Sequence, residues 1–314
     1  MNITVVGDIN ADLNMSLEAL PREGDDQLVT GLRWSSGGAG LNSATAFAQV
    51  GAQVKLVGRV GSDAAAEAAL HPARQVGVDL THLQQDTERA TGLCTVLVTP
   101  GGQRTLMSYR GANVNCDPAQ IEPELLEGSA LLSLCGHALL ENPQRAAVIR
   151  ALDLATERGI PVALDLCLPT IREAGELLVD LVPRLWLLMM NEDELHTWLP
   201  GLSMAQAIAR LQECGLQHLA IKRGPQGCRV VDGSQQLDCL PPSVTAIDTT
   251  GCGDAFSAGY AWALLRGAPL LARATLANLI GALTATRRGA AEALPTRAEL
   301  AAQLDLPLRD LLIA

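Results

Sequence analysis

The chain has 314 residues, a formal charge of −11 and 48% hydrophobic residues, very few of them aromatic. That length and apolar content support one large α/β domain or two smaller ones, with a core of Leu, Val and Ala. The acidic balance argues against nucleic acid as a partner, because phosphate backbones need a basic face; an acidic, solvated surface is the simplest meaning of the charge.

The eight cysteines (Cys94, Cys116, Cys135, Cys167, Cys214, Cys228, Cys239, Cys252) include no Cys-x-x-Cys pair and no His at ligand spacing, which argues against zinc. The opening "MNITVVGDIN" runs directly into a strand pattern, with no basic n-region and no long apolar run. No signal peptide, transmembrane segment or membrane partner is expected, and a cytoplasmic location with reduced thiols follows.

Taken from the N-terminus, "NITVVGD" (2–8) reads as an apolar strand and "DDQLVTGLRWSSGG" (25–38) as a strand group without a covering helix. "LNSATAFAQVG" (41–51) reads as a helix and "VKLVGRVG" (54–61) as a strand. "TGLCTVLVTPGGQRTLMSYRGAN" (91–113) reads as two strands joined by a Pro-Gly-Gly turn, an antiparallel hairpin. Strands at "ALLSLCG" (130–136), "IPVALDL" (160–166), "LWLLMMNEDE" (185–194) and "LQHLAIKRG" (216–224) then alternate with helices at "NPQRAAVIRALDLATERG" (142–159) and "MAQAIARLQECG" (204–215). "AFSAGYAWALL" (255–265) is a buried helix that stops at Gly267, and the other helices also end at Gly. Alternating elements with doubly apolar strands imply a parallel sheet covered on both faces. The two helix-free regions imply a small separate sheet projecting as a lid from one main domain.

The helix at 255–265 is preceded by "DTTGCGD" (248–254), which makes a poor core but a good anion site. Free N–H groups at a helix start and the helix dipole both favour negative charge. A carboxylate beside such an anion is costly unless it has a task, and the natural task for Asp254 is general base toward a hydroxyl that attacks phosphorus. On local physics alone, helix capping by Asp254 is an equal alternative. "GGAGLN" (37–42) is not the dinucleotide fingerprint G-x-G-x-x-G, and no Walker loop is present.

"DTTGCGDAFSAG" (248–259) resembles the C-terminal signature of the ribokinase-like carbohydrate kinases, the PfkB family. Six further stretches resemble that family's motifs in the same order: "GDINAD" (7–12), "GGAGLN" (37–42) with "SATAFAQVGA", "VGRVGSD" (57–63), "NEDE" (191–194), "KRGPQG" (222–227) and "TATRRGA" (284–290). The resemblance spans nearly the whole chain. It implies a three-layer α/β/α sandwich over residues 1–314, with a central, mainly parallel sheet and a small β-sheet lid formed from about 10–36 and 92–112. It implies transfer of the γ-phosphate of ATP, with Mg²⁺, to a primary hydroxyl of a small sugar.

The same resemblance distributes the roles. Asp254 is the catalytic base, and Gly251, Cys252 and Gly253 form the anion hole. Asn10, Asp12, Gly38 and Asn42 hold sugar hydroxyls; Asp12 can accept from two of them and Asn42 can both donate and accept. Asn191 and Glu194 sit near magnesium and the phosphates, Glu194 through water. Lys222, Gly224, Gly227 and Asn278 line the nucleotide. Asp248 and the carbonyls of Thr250, Thr284, Arg287 and Gly289 form a loop for a monovalent cation such as potassium. On the residues alone, Asn10 also reads as a turn residue, Glu194 as a helix-start charge and Lys222 as a solvated charge.

The chain departs from the family pattern at several points. Lys222 stands where Thr is frequent, "DLC" (165–167) where Asp-Pro-Asn is frequent, Ala65 or Ala66 where Gly is common, and Ala293 where a Ser can support the cation. "RGAN" (110–113) replaces Pro-Gly-Ala-Asn. An arginine at the end of the lid hairpin suits a carboxylate or phosphate on the substrate, which makes Arg110 the candidate for recognising an acidic sugar. The plain alternative is a surface arginine paired with a neighbouring acid, or a dimer contact. The exposed lid sheet suggests a homodimer. Two rival functions stay open: a nucleoside kinase of the same fold, for which aromatics are scarce, and a non-catalytic sugar- or nucleotide-binding homologue.

Overall fold

The doubly apolar runs become neighbouring strands of one sheet. The computed structural model describes residues 1–100 and 104–312. Its strands are β1 (Asn2–Val6), β2 (Asn10–Ser16), β3 (Gly31–Gly37), β4 (Gln53–Val57), β5 (Arg59–Gly61), β6 (Gln84–Asp86), β7 (Gly92–Val98), β8 (Arg104–Tyr109), β9 (Ser129–Cys135), β10 (Val162–Asp165), β11 (Leu187–Asn191), β12 (His218–Lys222), β13 (Cys228–Asp232) and β14 (Gln235–Cys239). Its helices are α1 (Ala39–Gln49), α2 (Ala64–Gln75), α3 (Gln144–Glu157), α4 (Leu168–Leu181), α5 (Glu192–Trp198), α6 (Met204–Glu213), α7 (Cys252–Leu265), α8 (Leu270–Ala285), α9 (Arg297–Gln303) and α10 (Leu306–Arg309).

The main sheet has the order β14-β13-β12-β11-β10-β9-β1-β4. Strands β4 to β12 of that order run parallel, and β13 and β14 close its edge antiparallel. Successive side chains of a strand point to opposite faces, so a doubly apolar strand needs cover on both. Ile3 and Val5 of β1 pack in one layer with Phe47 of α1 and with Tyr260 and Trp262 of α7. Val6, Leu132, Leu164 and Leu188 pack in the other with Val148 and Leu152 of α3 and Ile208 of α6. The result is the ribokinase-like α/β/α sandwich. Glycine ends the helices as expected: Gly51, Gly159 and Gly215 follow α1, α3 and α6 with φ of 108°, 65° and 94°.

The strands expected to form a lid make a second, smaller sheet of order β3-β2-β7-β8. β2 pairs antiparallel with β3 and parallel with β7, and β7 with β8 forms the antiparallel hairpin read from the sequence. Gly101 and Gly102 of its Pro-Gly-Gly turn lie outside the described residues.

Three readings need correction. The run 54–61 is not one strand: it breaks at Gly58, and β5 leaves to pair with β6 in a separate two-stranded sheet. A Cβ at Gly58 would stand 2.8 Å from the Gly7 carbonyl oxygen, so the bend depends on close backbone approach. The strand at 185–194 stops at Asn191, which caps α5, so "NEDE" belongs to a helix start. The strand group at 25–38 reduces to β3, and the hairpin β13–β14 was not read at all. Among the described residues no helix is long and apolar enough to cross a membrane.

Candidate active site

The carboxyl ends of the parallel strands and the first turn of α7 converge on one crevice, the usual ligand position in open α/β sheets. Gly251 precedes α7 in the left-handed conformation, with φ of 74°, and a Cβ there would meet Ala290 Cβ at 2.9 Å. Cys252, Gly253 and Asp254 form the first turn of the helix. The Asp254 carboxylate does not turn back onto the helix. Among the described residues its one hydrogen bond is from α1, where the Asn42 side-chain amide donates to Asp254 Oδ2 at 2.7 Å. Burial, and then the charge of Asp165, push the Asp254 pKa up to about 7, against the pull of the Asn42 hydrogen bond and of Lys222. A carboxylate poised there takes and returns protons near neutrality.

Beneath the glycine loop lies a cation. Lys222, at the end of β12, donates to Asp165 Oδ1 at 2.5 Å and to Ser257 Oγ at 3.2 Å. Its side chain is only 15% exposed. Burial alone would lower its pKa, but Asp165 and Glu194 hold it above the usual lysine value. The solvated-lysine reading is therefore overturned. Asn191 and Glu194 form a capping box: Asn191 Oδ1 accepts from the Glu194 N–H at 2.8 Å, and Glu194 Oε2 accepts from the Asn191 N–H at 2.7 Å. Burial raises the Glu194 pKa, with Lys222 opposing.

On the lid side, Asp12 of β2 is buried, and burial followed by the charges of Glu292 and Asp248 pushes its pKa up to about 7. Asp12 Oδ1 and Asn42 Oδ1 are both buried without a hydrogen-bond partner. Gly37 leaves room for Asp12, since a Cβ there would lie 2.2 Å from Asp12 Oδ1. Gly38 starts α1, where a Cβ would press on the Asp8 carbonyl oxygen at 2.4 Å. Asn10 Oδ1 accepts from Asn113 Nδ2 at 2.9 Å, and Asn113 also brackets the Ile9 backbone, accepting from its N–H at 2.8 Å and donating to its carbonyl at 3.1 Å.

Arg110 is held at its Nη atoms by internal partners, while its Nε is buried without one. Its Nη2 donates to both Asp8 oxygens, at 3.2 and 3.1 Å, to the His137 carbonyl at 3.0 Å and to Gln144 Oε1, while Nη1 reaches Glu141 at 3.1 Å. The guanidinium clamps the exit of β8 to the end of β1 and the start of α3. Its charged partners are internal acids, as in the plain alternative read from the sequence.

The nucleotide set is split. Gly224 and Gly227 form the turn between β12 and β13, where a Cβ at Gly227 would lie 1.9 Å from the Cys239 carbonyl oxygen. Asn278 of α8 donates to that same carbonyl at 2.9 Å, so its amide is turned to the sheet edge. In the cation loop, Asp248 Oδ2 accepts from the Gly289 N–H at 3.0 Å and Oδ1 from the Thr250 N–H at 3.0 Å. The Thr284 carbonyl accepts from the Arg287 N–H at 3.2 Å, and the Arg287 guanidinium pairs with Glu299. Glu292 of the same loop accepts from the Ser36 N–H of β3 at 2.6 Å, joining loop and lid.

Asn113, Asp165, Ser257 and Glu292 were not assigned from the sequence. Asn113 lay in a motif already quoted, and Asp165 in "DLC", where only the departure from the family was noticed.

An α/β sandwich with a second small sheet and a carboxylate in the first turn of a helix that follows glycine has the ribokinase-like fold. Residues 1–297 match the model of the pfkB family carbohydrate kinases, and the chain belongs to that family. It is similar to the ribokinase of Bacillus subtilis (strain 168), 30% identical over 302 residues that span 95% of this chain and 98% of the relative. The solved structure of Arabidopsis thaliana ribokinase complexed with ribose and ATP has a TM-score of 0.84 at 24% identity, covering 96% of this chain and 99% of that one. The adenosine kinase of Sinorhizobium meliloti has a TM-score of 0.81 at 20% identity, covering 92% and 94%. As a member of that family the chain is an ATP-dependent phosphotransferase.

Proposed function

We propose that the enzyme phosphorylates a primary hydroxyl of a small neutral sugar, with Asp254 as general base. The observation that carries this reading is the triad of Asp254, Asn42 and Asp12. Asp254 is held by Asn42, while Asp12 Oδ1 and Asn42 Oδ1 are buried acceptors without donors. Sugar hydroxyls supply such donors, and a buried acceptor left unmet costs about 1–3 kcal/mol. The acceptor hydroxyl gives its proton to Asp254 as its oxygen bonds to the γ-phosphorus. The bond from that phosphorus to the β-phosphate oxygen breaks, and its electron pair leaves with ADP. The N–H groups of Gly251, Cys252 and Gly253 face the charge on the phosphoryl oxygens.

Among the described residues no three His, Cys, Asp or Glu side chains form a metal cage. Mg²⁺ keeps several waters and is held mainly by phosphates. Glu194 would hold it through water, with Asn191 fixing the Glu194 backbone; Mg²⁺ would neutralise phosphate charge. Asp248 with the carbonyls of Thr250, Thr284, Arg287 and Gly289 is the proposed potassium loop.

A neutral sugar is favoured because Arg110 is engaged and Asp12, Asp248, Asp254 and Glu292 make the pocket acidic. A nucleoside is the second reading, supported by the shared fold alone; Phe47, Phe256 and Tyr260 are buried in the core and offer no face to a base. Exposed Leu32, Trp34, Met107 and Tyr109 on the lid support a homodimer through that sheet. A cytoplasmic location, where ATP is held, accompanies the reading. The test is turnover with ATP and Mg²⁺ on matched panels of neutral sugars, sugar acids and nucleosides. Turnover on neutral sugars is expected; activity confined to nucleosides, to acids or to none would overturn it.

A further inference from the structure

We propose that Lys222 is a catalytic residue, whose ammonium donates a hydrogen bond to the phosphoryl group in transit. This rests on the phosphoryl-transfer reading of the site and adds a cation to it.

The geometry begins with strand ends. Lys222 closes β12 beside Asn191, its register partner on β11, and Asp165 closes β10 two strands away. Ser257 stands one helical turn beyond Gly253 on α7, so the two share a face. An ammonium has three N–H donors. Two are used, by Asp165 Oδ1 and Ser257 Oγ. The Nζ also lies 3.5 Å from the point that a Cβ on Gly253 would occupy. Because residue 253 has no side chain, that space is open to an oxygen bound at the start of α7.

Charge points the same way. Asp165, Glu194 and Asp254 crowd the floor of the crevice: Asp165 and Glu194 both push the Asp254 pKa up, and Asp165 does the same to Glu194. Among the described residues, Lys222 is the one basic side chain that ion-pairs with any of them. Arg223, its neighbour, is turned to Glu192 and Asp238. A triphosphate brings still more negative charge to this floor. A buried Lys–Asp pair adds little net stability over apolar residues of the same size, so stability alone does not account for it. Asp165 and Ser257 act as positioning residues: they fix the ammonium and leave its third donor pointing at the hole. Lys222 stays protonated throughout; the substrate proton goes to Asp254.

Removing Lys222 alone leaves Asp165 unpaired and risks the fold, so the test uses Lys222→Met/Asp165→Asn, which removes both charges, beside Lys222→Arg. Wild type and variants are compared by melting temperature, by kcat and KM, and by calorimetric binding of ADP–Mg²⁺ with and without aluminium fluoride, a mimic of the phosphoryl in transit. The double variant is expected to melt within a few degrees of wild type and keep its KM for the sugar. Its kcat should fall about 100- to 1000-fold, the usual loss for one oxyanion donor. It should bind ADP normally but lose the gain that aluminium fluoride gives, and Lys222→Arg should recover part of both. A folded double variant with kcat within fivefold of wild type, or with the full aluminium fluoride gain, overturns the role of Lys222 while Asp254→Asn still reports on phosphoryl transfer. A wild type that turns over no acceptor overturns the phosphoryl-transfer reading and this proposal with it.

Discussion

The Asn42 amide and the Asp254 carboxylate meet at 2.7 Å, tying the first turn of α1 to the first turn of α7 across the crevice. One residue comes from the N-terminal glycine motif and the other from the C-terminal signature, 212 positions apart in sequence. Asp254, the proposed general base, is thus oriented by the same side chain whose Oδ1 is a buried acceptor without a donor.

Asp254→Asn should fold like the parent and lose turnover by about 100- to 10,000-fold, the range for a general base. The amide keeps the shape and the contact to Asn42 but takes no proton. Steady-state kinetics with circular dichroism checks this, and a kcat within a few-fold of the parent refutes the assignment.

The acidic limb of kcat should lie near pH 7, rising as Asp254 ionises, since its pKa is pushed up to about 7. Linkage gives a second readout. A carboxyl whose folded pKa of about 7 lies above its unfolded value of 3.8 contributes its stability fully below pH 3.8, and that contribution is lost as pH rises from there through 7. Melting of ligand-free Asp254→Asn should therefore gain on that of wild type between pH 4 and pH 8, with the gain complete by about pH 7. An equal difference at both pH values contradicts the raised pKa.

Asp12→Ala should raise KM for the sugar about 10- to 100-fold, as expected for losing charged hydrogen bonds worth roughly 1.5–3 kcal/mol, with a smaller effect on KM for ATP. A change confined to ATP would place Asp12 outside the sugar site.

Arg110→Ala should act on stability rather than on substrate choice. It strands Asp8, 6% exposed, without its cation. Breaking a buried pair in this way costs roughly 3–5 kcal/mol, which a denaturant titration would read directly. Neutral and acidic sugars should be affected alike; a selective loss on the acidic sugar would restore the substrate role.

Gly253→Val should abolish turnover while leaving ADP binding and the melting temperature close to the parent values. The branched side chain would fill the space between the helix start and Lys222. Normal turnover would show that the first turn of α7 is not the anion site.

Much of the sheet was legible because its strands are apolar on both faces and its helices stop at glycine, both local signals. The split at Gly58 was not, since the bend depends on the approach of Gly7 from another strand. The hairpin β13–β14 escaped because its outer strand, "QQLDC", is mostly polar and lies at the sheet edge. In the site, the motifs marked Asp254, Asn42 and Asp12, whereas the partners of Arg110 and Lys222 could not be seen. Asp8 lies 102 positions from Arg110 and Asp165 lies 57 from Lys222, so no spacing rule connects them. A polar residue at a strand end declares its role only when the other strand ends are in place.

The bond from the Ser36 N–H to Glu292 gives the lid and the C-terminal loop a shared fastening. These two regions are therefore not interchangeable modules. A chimera that receives a foreign lid keeps the backbone donor at position 36 whatever its side chains, but one that receives a foreign C-terminal loop without a carboxylate at 292 loses the fastening. Grafts between relatives should tolerate the first exchange better than the second, and a graft of both together best of all.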